Sequence, residues 1–463
     1  MRTTTKWWAV APLTLTLALG GLIAPGSAAP KSGPSGTCST VQTLDVPGAE
    51  HQVVSCPKDL TTAGTVASGH TVPGDYAFLQ SAATKNPSGV HGTQIDGYFP
   101  DTSTSNTHHG WNHDSQFVMR FPDEWNGKLV ITGAPGVRRQ YALDATISDW
   151  VLAQGYAFAS TDKGNTGVDF YTDGDKPGDA IAEWHFRVTE LTRAAQKVSQ
   201  QRYGSKPDLT YMTGLSNGGY LTRWQLENKA SLYDGGVDWE GTLFTADGPN
   251  LLTYLPTALK HYPAYAAGDE AAHQAMLDAG FAPGSEFLWK LHHDVYWDLT
   301  QRIYREELDP TFDGATQAGT PFCASGTPAC DTDYDYFSRP KAVHKAVDRI
   351  SLTGKIKKPM LTLHGDLDAL LPPATDSDVY AEMIADQGRS DLLRYYTVTG
   401  GNHVDGFVDF FPTRLRPILP CYRDAFTALD LWVEQGVEPA GSGVIPFDSG
   451  GADAANACSI ADR

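Results

Sequence analysis

The sequence predicts an α/β protein with a mostly parallel central sheet and a helical lid insertion. Three observations carry this. From residue 128 onward, short continuous apolar runs alternate with helix-periodic segments, as parallel strands buried on both faces require. The alternation breaks at Gly248-Pro249 and resumes near residue 360, with a helix-patterned aromatic stretch between. The pentapeptide Gly214-Leu215-Ser216-Asn217-Gly218 falls between a strand pattern and a helix pattern.

The elements follow in order. Residues 1–29 read as a signal peptide: Arg2 and Lys6 precede an apolar run to Ile23, and small residues end at Ala29. A retained membrane anchor is the alternative, because the run is long. Residues 30–120 are rich in Gly, Thr, Ser and Asp and read as an irregular or β-rich lead-in. The core comprises residues 121–248 and 351–463. In its first part, strands are expected at 128–132, 156–161 and 209–213. Helices are expected at 149–154, 184–201 and 220–228, with a turn at 214–219. Residues 249–350 form the lid, carrying Tyr254, Tyr262, Tyr265, Trp289, Trp297 and Tyr304 among its aromatics. Strands return at 360–364 and 393–398, and a helix at 421–435 closes the chain. No internal repeat is present.

Composition narrows the function class. The 463 residues carry a formal net charge of −19 and are 41% hydrophobic. Disorder is excluded by the apolar content, and nucleic acid is a poor partner for so acidic a chain. Six cysteines in an exported chain point to disulfides. Proximity favours Cys38–Cys56, Cys323–Cys330 and Cys421–Cys458, since short loops close at least entropic cost. No Cys-x-x-Cys pair is available for a thiolate zinc site.

Gly-x-Ser-x-Gly between a strand and a helix places a nucleophilic serine on a sharp turn, where side chains two residues either way would clash. The Asn217 N–H at the helix start can donate to an oxyanion. A serine needs a base, and the base an orienting carboxylate, in the order Ser, acid, His. Asp368 follows the 360–364 strand, with Asp366 as its rival. His403, in a Gly-rich loop after the 393–398 strand, is the only histidine beyond Asp368. The expected catalytic set is therefore Ser216, Asp368 and His403. A second oxyanion donor is expected from residues 133–137. Pro135 has no N–H, which leaves Ala134, Gly136 and Val137, with Gly136 favoured.

On these motifs the chain resembles secreted esterases of the α/β-hydrolase fold. Thr161-Asp162-Lys163-Gly164, Ser216-Asn217-Gly218-Gly219 and residues 364–373 are similar to those of 3-hydroxybutyrate-oligomer hydrolases, as are residues 394–399 and 403–407. The tannase and feruloyl esterase group shares the Ser-x-Gly-Gly elbow, the acid loop and a lid. That group bridges a cysteine beside the serine to one beside the histidine. Here Leu215 stands at the first place and Val404 or Asn402 at the second, and this chain is shorter than typical oligomer hydrolases. The resemblance implies an α/β-hydrolase and a secreted serine esterase, on feruloyl or hydroxycinnamoyl esters, with hydroxybutyrate oligomers or polyester fragments as the alternative. A serine peptidase and a non-catalytic binding protein are competing classes. The expected partner is a small-molecule or plant-polymer ester, met by a monomer, with no nucleic acid and no membrane after leader cleavage.

No cofactor and no catalytic metal are expected. Tannase-type lids suggest structural calcium at Asp331-Thr332-Asp333-Tyr334-Asp335, whose carboxylates alternate. It lacks the glycine and distal glutamate of an EF-hand, so a solvated acidic loop is the plainer reading. His108, His109 and His113, or His292, His293 and Asp294, offer zinc ligands without the spacing of a known zinc motif.

Overall fold

A computed structural model of the chain describes residues 43–312, 331–448 and 450–461. Ten strands form one sheet in the order β1-β2-β3-β5-β4-β6-β7-β8-β9-β10. β1 (His51–Ser55), β2 (Gly92–Tyr98) and β3 (Gln116–Pro122) come from the lead-in and pair antiparallel at one edge. β3 pairs antiparallel with β5 (Ala157–Thr161). From there every pairing is parallel, through β4 (Lys128–Gly133), β6 (Leu209–Leu215), β7 (Gly235–Trp239), β8 (Met360–Gly365), β9 (Leu393–Val398) and β10 (Gly443–Ile445).

Two apolar layers cover the sheet. On one side Ile147, Val151, Tyr422, Phe426 and Leu429 pack against Val130, Phe158 and Val237. On the other, Trp184, Val188 and Leu191 of the helix Asp179–Tyr203 join Leu221 and the lid aromatics over Leu129 and Ile131. Each expected strand and helix of the core is present, with ends shifted by a few residues. The helix after β6 starts earlier than expected, at Asn217, so the turn is tighter.

Gly214 and Gly218 explain that tightness. A Cβ on Gly214 would lie 2.4 Å from the Gly218 carbonyl carbon, and one on Gly218 would lie 2.6 Å from the Gly133 carbonyl oxygen. Only bare backbone allows the helix Asn217–Asn228 to sit this close to β4 and β6.

The lid contributes helices Leu251–Ala266, Glu270–Asp278, Glu286–Val295, Trp297–Leu308 and Lys341–Asp348. Trp289 and Trp297 are fully buried within it. The Trp297 indole N–H donates to the Ala369 carbonyl at 2.7 Å, tying the lid to the loop that carries Asp368.

Cys421 and Cys458 are bridged, with Cα atoms 4.9 Å apart. Cys56 is disulfide-bonded. Cys38, Cys323, Cys330 and the leader 1–29 lie outside the described residues. Among the described residues no helix is long and apolar enough to cross a membrane.

Candidate active site

Ser216 sits at φ 58°, ψ −119°, a backbone conformation that L side chains rarely adopt. Its N–H donates to the Trp239 carbonyl at 3.0 Å, and its carbonyl accepts from the Tyr220 N–H at 2.9 Å, which opens the following helix. The turn is thereby held between β7 and the helix Asn217–Asn228.

Ser216 and His403 both line a cavity of about 230 Å³, whose walls include Leu251, Ile303, Leu370 and Phe407. His403 Nδ1 lies 2.8 Å from Asp368 Oδ2. The other Asp368 oxygen accepts the Leu370 and Leu371 N–H groups at 2.7 and 2.9 Å. Burial opposes ionisation of Asp368, but His403, His364 and the hydrogen bonds outweigh it and hold the carboxyl well below its usual range. The rival Asp366 is spent elsewhere: its Oδ1 accepts the Gly400 N–H at 2.7 Å and so shapes the histidine loop.

Glu240, which the sequence reading missed, is fully buried one residue beyond β7. Its Oε1 accepts the Gly365 N–H at 2.6 Å. Its Oε2 lies 3.6 Å from His403 Nδ1. Burial pushes this carboxyl well above its ordinary value, and the charge on Asp368 adds to the shift. No local motif marks Glu240; its position directly after a central strand was the only available signal.

The loop after β4 closes the cavity on the other side, with Gly136 and Val137 in its wall. The Ala134 N–H donates to the Thr161 carbonyl at 3.0 Å, which leaves the favoured Gly136 and its neighbour Val137 as the candidates of this loop. The Gly136 carbonyl accepts from Asn217 Nδ2 at 3.0 Å and from Lys163 Nζ at 3.2 Å. Asn217 Nδ2 also donates to the Tyr304 hydroxyl at 2.5 Å, while Asn217 Oδ1 accepts from Thr242 at 3.1 Å. Asn217 thus joins the elbow, the β4 loop and the lid through its side chain, and its backbone N–H opens the helix. Lys163 is buried over the Trp184 ring at 5.0 Å. Burial lowers its ammonium to about 7, partly offset by Asp162.

The metal candidates named from sequence are not brought together. His108 Nε2 faces Asp75 at 3.0 Å, and His113 stacks on Tyr98 at 3.9 Å. His292 lines the cavity, whereas His293 turns to Tyr262 and Asp294. In the acidic loop Asp331 pairs with Arg305 at 2.8 Å, and Asp335 Oδ1 accepts the Phe337 N–H at 3.2 Å. Among the described residues that loop does not bring three carboxylate or imidazole side chains together. His109 converges instead with His70 and Asp96, where its Nε2 lies 2.6 Å from the Tyr141 hydroxyl.

The sheet order, the elbow after β6 and the lid define an α/β-hydrolase. The family described as tannase and feruloyl esterase matches residues 102–237, and that described as 3HB-oligomer hydrolase matches residues 309–457. D-(-)-3-hydroxybutyrate oligomer hydrolases of Burkholderia mallei and Burkholderia pseudomallei are 37% identical over 76 residues, 16% of this chain and 11% of theirs. The matched segment is thus about a tenth of the length of these relatives. Feruloyl esterase B from Aspergillus oryzae superposes with a TM-score of 0.50 at 15% identity, covering 87% of this chain and 91% of that one. Tannin acyl hydrolase from Aspergillus niger superposes with a TM-score of 0.50 at 14% identity, covering 88% and 89%. The resemblance read from the motifs therefore extends over both parts of the core, and the solved structures share its fold.

Proposed function

We propose that this chain is a serine carboxylic-ester hydrolase that works through an acyl-enzyme on Ser216. The carrying observation is the convergence of Ser216 and His403 on one apolar cavity, with Asp368 hydrogen-bonded behind His403. His403 takes the Ser216 proton as the oxygen attacks the ester carbonyl. The ionised Asp368 fixes the imidazole tautomer and stabilises its cationic form. The tetrahedral oxyanion is held by the Asn217 N–H and by a donor of the β4 loop, with Gly136 favoured. His403 returns the proton to the leaving alcohol, and water then releases the acid by the same steps. This chemistry needs no cofactor.

The substrates we favour are feruloyl or hydroxycinnamoyl esters, in keeping with the match over residues 102–237. A second reading, hydroxybutyrate oligomers, draws support from the match over residues 309–457, the part that carries Asp368 and His403. Export is part of the proposal, and the Cys421–Cys458 bridge is in keeping with an oxidising compartment.

The test is Ser216→Ala against the wild type on p-nitrophenyl acetate, methyl ferulate and hydroxybutyrate dimer. Loss of activity on the order of 10⁴-fold or more is expected, with the fold retained by circular dichroism. Near-wild-type hydrolysis by the variant removes the assignment.

A further inference from the structure

We propose that His292 selects substrates whose acyl group carries a hydroxyl, exchanging hydrogen bonds with that hydroxyl inside the cavity. The inference rests on the esterase reading of the same site and extends it to the chemistry of the acyl group.

His292 lies on the lid helix Glu286–Val295 and is 1% exposed. It lines the cavity shared by Ser216 and His403. Neither ring nitrogen has a hydrogen-bond partner among the described residues. Rings surround it: Tyr296 at 5.4 Å, Trp297 at 6.0 Å and Phe407 at 5.9 Å between centroids. A buried polar group without a partner is costly, and native structures retain one where something else supplies the bond. The cavity is where that partner can enter.

The chemistry of the partner follows from the imidazole. Burial disfavours the cationic form and lowers the group to about 4, with Asp368 opposing and His403 adding. The ring is therefore neutral near pH 7, with one N–H donor and one bare nitrogen acceptor. A hydroxyl has the same dual character and meets either nitrogen. A carboxylate could accept only from the N–H and would bring a charge without a counter-ion into a buried, largely apolar cavity, and an alkyl chain would leave both nitrogens unpaired. The ring also cannot turn away freely. The Trp297 indole against it is anchored to the Ala369 carbonyl at 2.7 Å, and Phe407 closes another side.

The experiment compares ester pairs that differ by one hydroxyl. p-Nitrophenyl 3-hydroxybutyrate against p-nitrophenyl butyrate reports an aliphatic hydroxyl. Methyl ferulate against methyl 3-methoxycinnamate reports a phenolic one. Each kcat/KM is normalised to the uncatalysed rate of its ester. The wild type is expected to favour the hydroxylated member of one pair by on the order of 10- to 100-fold, and that pair identifies the hydroxyl. His292→Phe and His292→Leu are expected to bring the ratio close to one, while His292→Gln, which keeps a donor and an acceptor, restores part of it. A wild-type ratio near one in both pairs overturns the proposal without any variant. A ratio that survives both His292→Phe and His292→Leu also overturns it. Failure to hydrolyse all four esters is a different result: it overturns the esterase reading itself, and this inference with it.

Discussion

Replacing Glu240 by Gln separates two electrostatic descriptions of the site. His403 Nδ1 faces Asp368 Oδ2 at 2.8 Å and Glu240 Oε2 at 3.6 Å. Both carboxyls are fully buried, with an oxygen of each within 4.8 Å of the other, so ionising both at once is strongly disfavoured. The proton belongs on Glu240. Asp368 accepts two backbone N–H groups through one oxygen and faces His403 and His364 with the other. Glu240 accepts one N–H, from Gly365, and its Oε2 has no hydrogen-bond partner among the described residues. The amide in Glu240→Gln is then a near-isosteric exchange of one neutral group for another.

The alternative has a calculable size. A full charge at 3.6 Å, with an effective dielectric of about 20, interacts by about 5 kcal/mol, or roughly 3 pH units. If Glu240 were ionised, its removal would move the acidic limb of the kcat/KM profile by that order. With Glu240 neutral, the limb is expected to move by less than about 0.5 unit, and kcat/KM at pH 7 to stay within about threefold. Asp368→Asn, by contrast, is expected to lose on the order of 10⁴-fold, because the amide imposes the wrong tautomer on His403. The assay is initial-rate hydrolysis of p-nitrophenyl acetate from pH 4.5 to 8, read at the wavelength where phenol and phenolate absorb equally. A shift of one unit or more in Glu240→Gln refutes the assignment of the proton.

Two further expectations concern stability. Arg223 is fully buried, 2.7 Å from Asp238 and 2.7 Å from Asp376, so Arg223→Met leaves two buried carboxylates uncompensated. A loss of about 3–5 kcal/mol is expected in urea unfolding, and a loss below about 1 kcal/mol contradicts the pairing. The pH dependence has a definite sign. Burial raises Asp149 and Asp405 to about 7 and Glu307 to about 8, so the folded state holds protons that the unfolded chain has released. Their contribution to stability is present near pH 4 and is lost as pH rises to about 8. Groups such as Asp368 and Asp75, whose carboxyls are lowered, act in the opposite sense below about pH 4, and His185 and His292, which burial lowers to about 3 and about 4, act in that sense as pH falls below about 6.5 and offset part of the carboxyl contribution. Thermal unfolding is expected at a higher temperature at pH 5 than at pH 8, and the reverse order contradicts these burials.

The legible parts of the sequence were those where local pattern and tertiary role coincide. β4, β5 and β8 are buried on both faces and read as short, largely apolar runs. β7 lies between β6 and β8, yet Gly235-Gly236-Val237-Asp238-Trp239 has no continuous apolar run to mark it as a buried strand. Its glycines are steric: a Cβ on Gly236 would meet the Met212 carbonyl oxygen at 2.8 Å. Its aspartate is buried because Arg223, from another element, pairs with it. β2 was hidden in the same way. Its Gln94 accepts from Arg120 Nε at 2.9 Å, and Arg120 reaches on to Asp144 at 2.6 Å. Such polar residues can be buried because partners distant in sequence satisfy them, which no local window displays. His292 and His293 illustrate the reverse error. Adjacent histidines invite a shared metal, but consecutive residues on a helix point about 100° apart, so one enters the cavity and the other leaves it.

The same sheet order explains why the candidate site lies where it does. Ser216 follows β6, Glu240 follows β7, Asp368 follows β8 and His403 follows β9. These four strands are parallel neighbours, so their C-terminal ends open side by side along one edge of the sheet. The loops are then stitched together beyond the last strand residues. The Ser216 N–H donates to the Trp239 carbonyl, the Glu240 N–H to the Leu363 carbonyl and the Asp366 N–H to the Val398 carbonyl, at 2.9 to 3.1 Å. Each functional loop is thus hydrogen-bonded to the next, and the order of the side chains across the sheet is the order of the strands. Glu240 therefore belongs to the geometry of the set as fully as Asp368 does. What distinguishes them is hydrogen bonding: Asp368 receives enough donors to remain charged, and Glu240 does not. The pH profile of Glu240→Gln reads that difference directly.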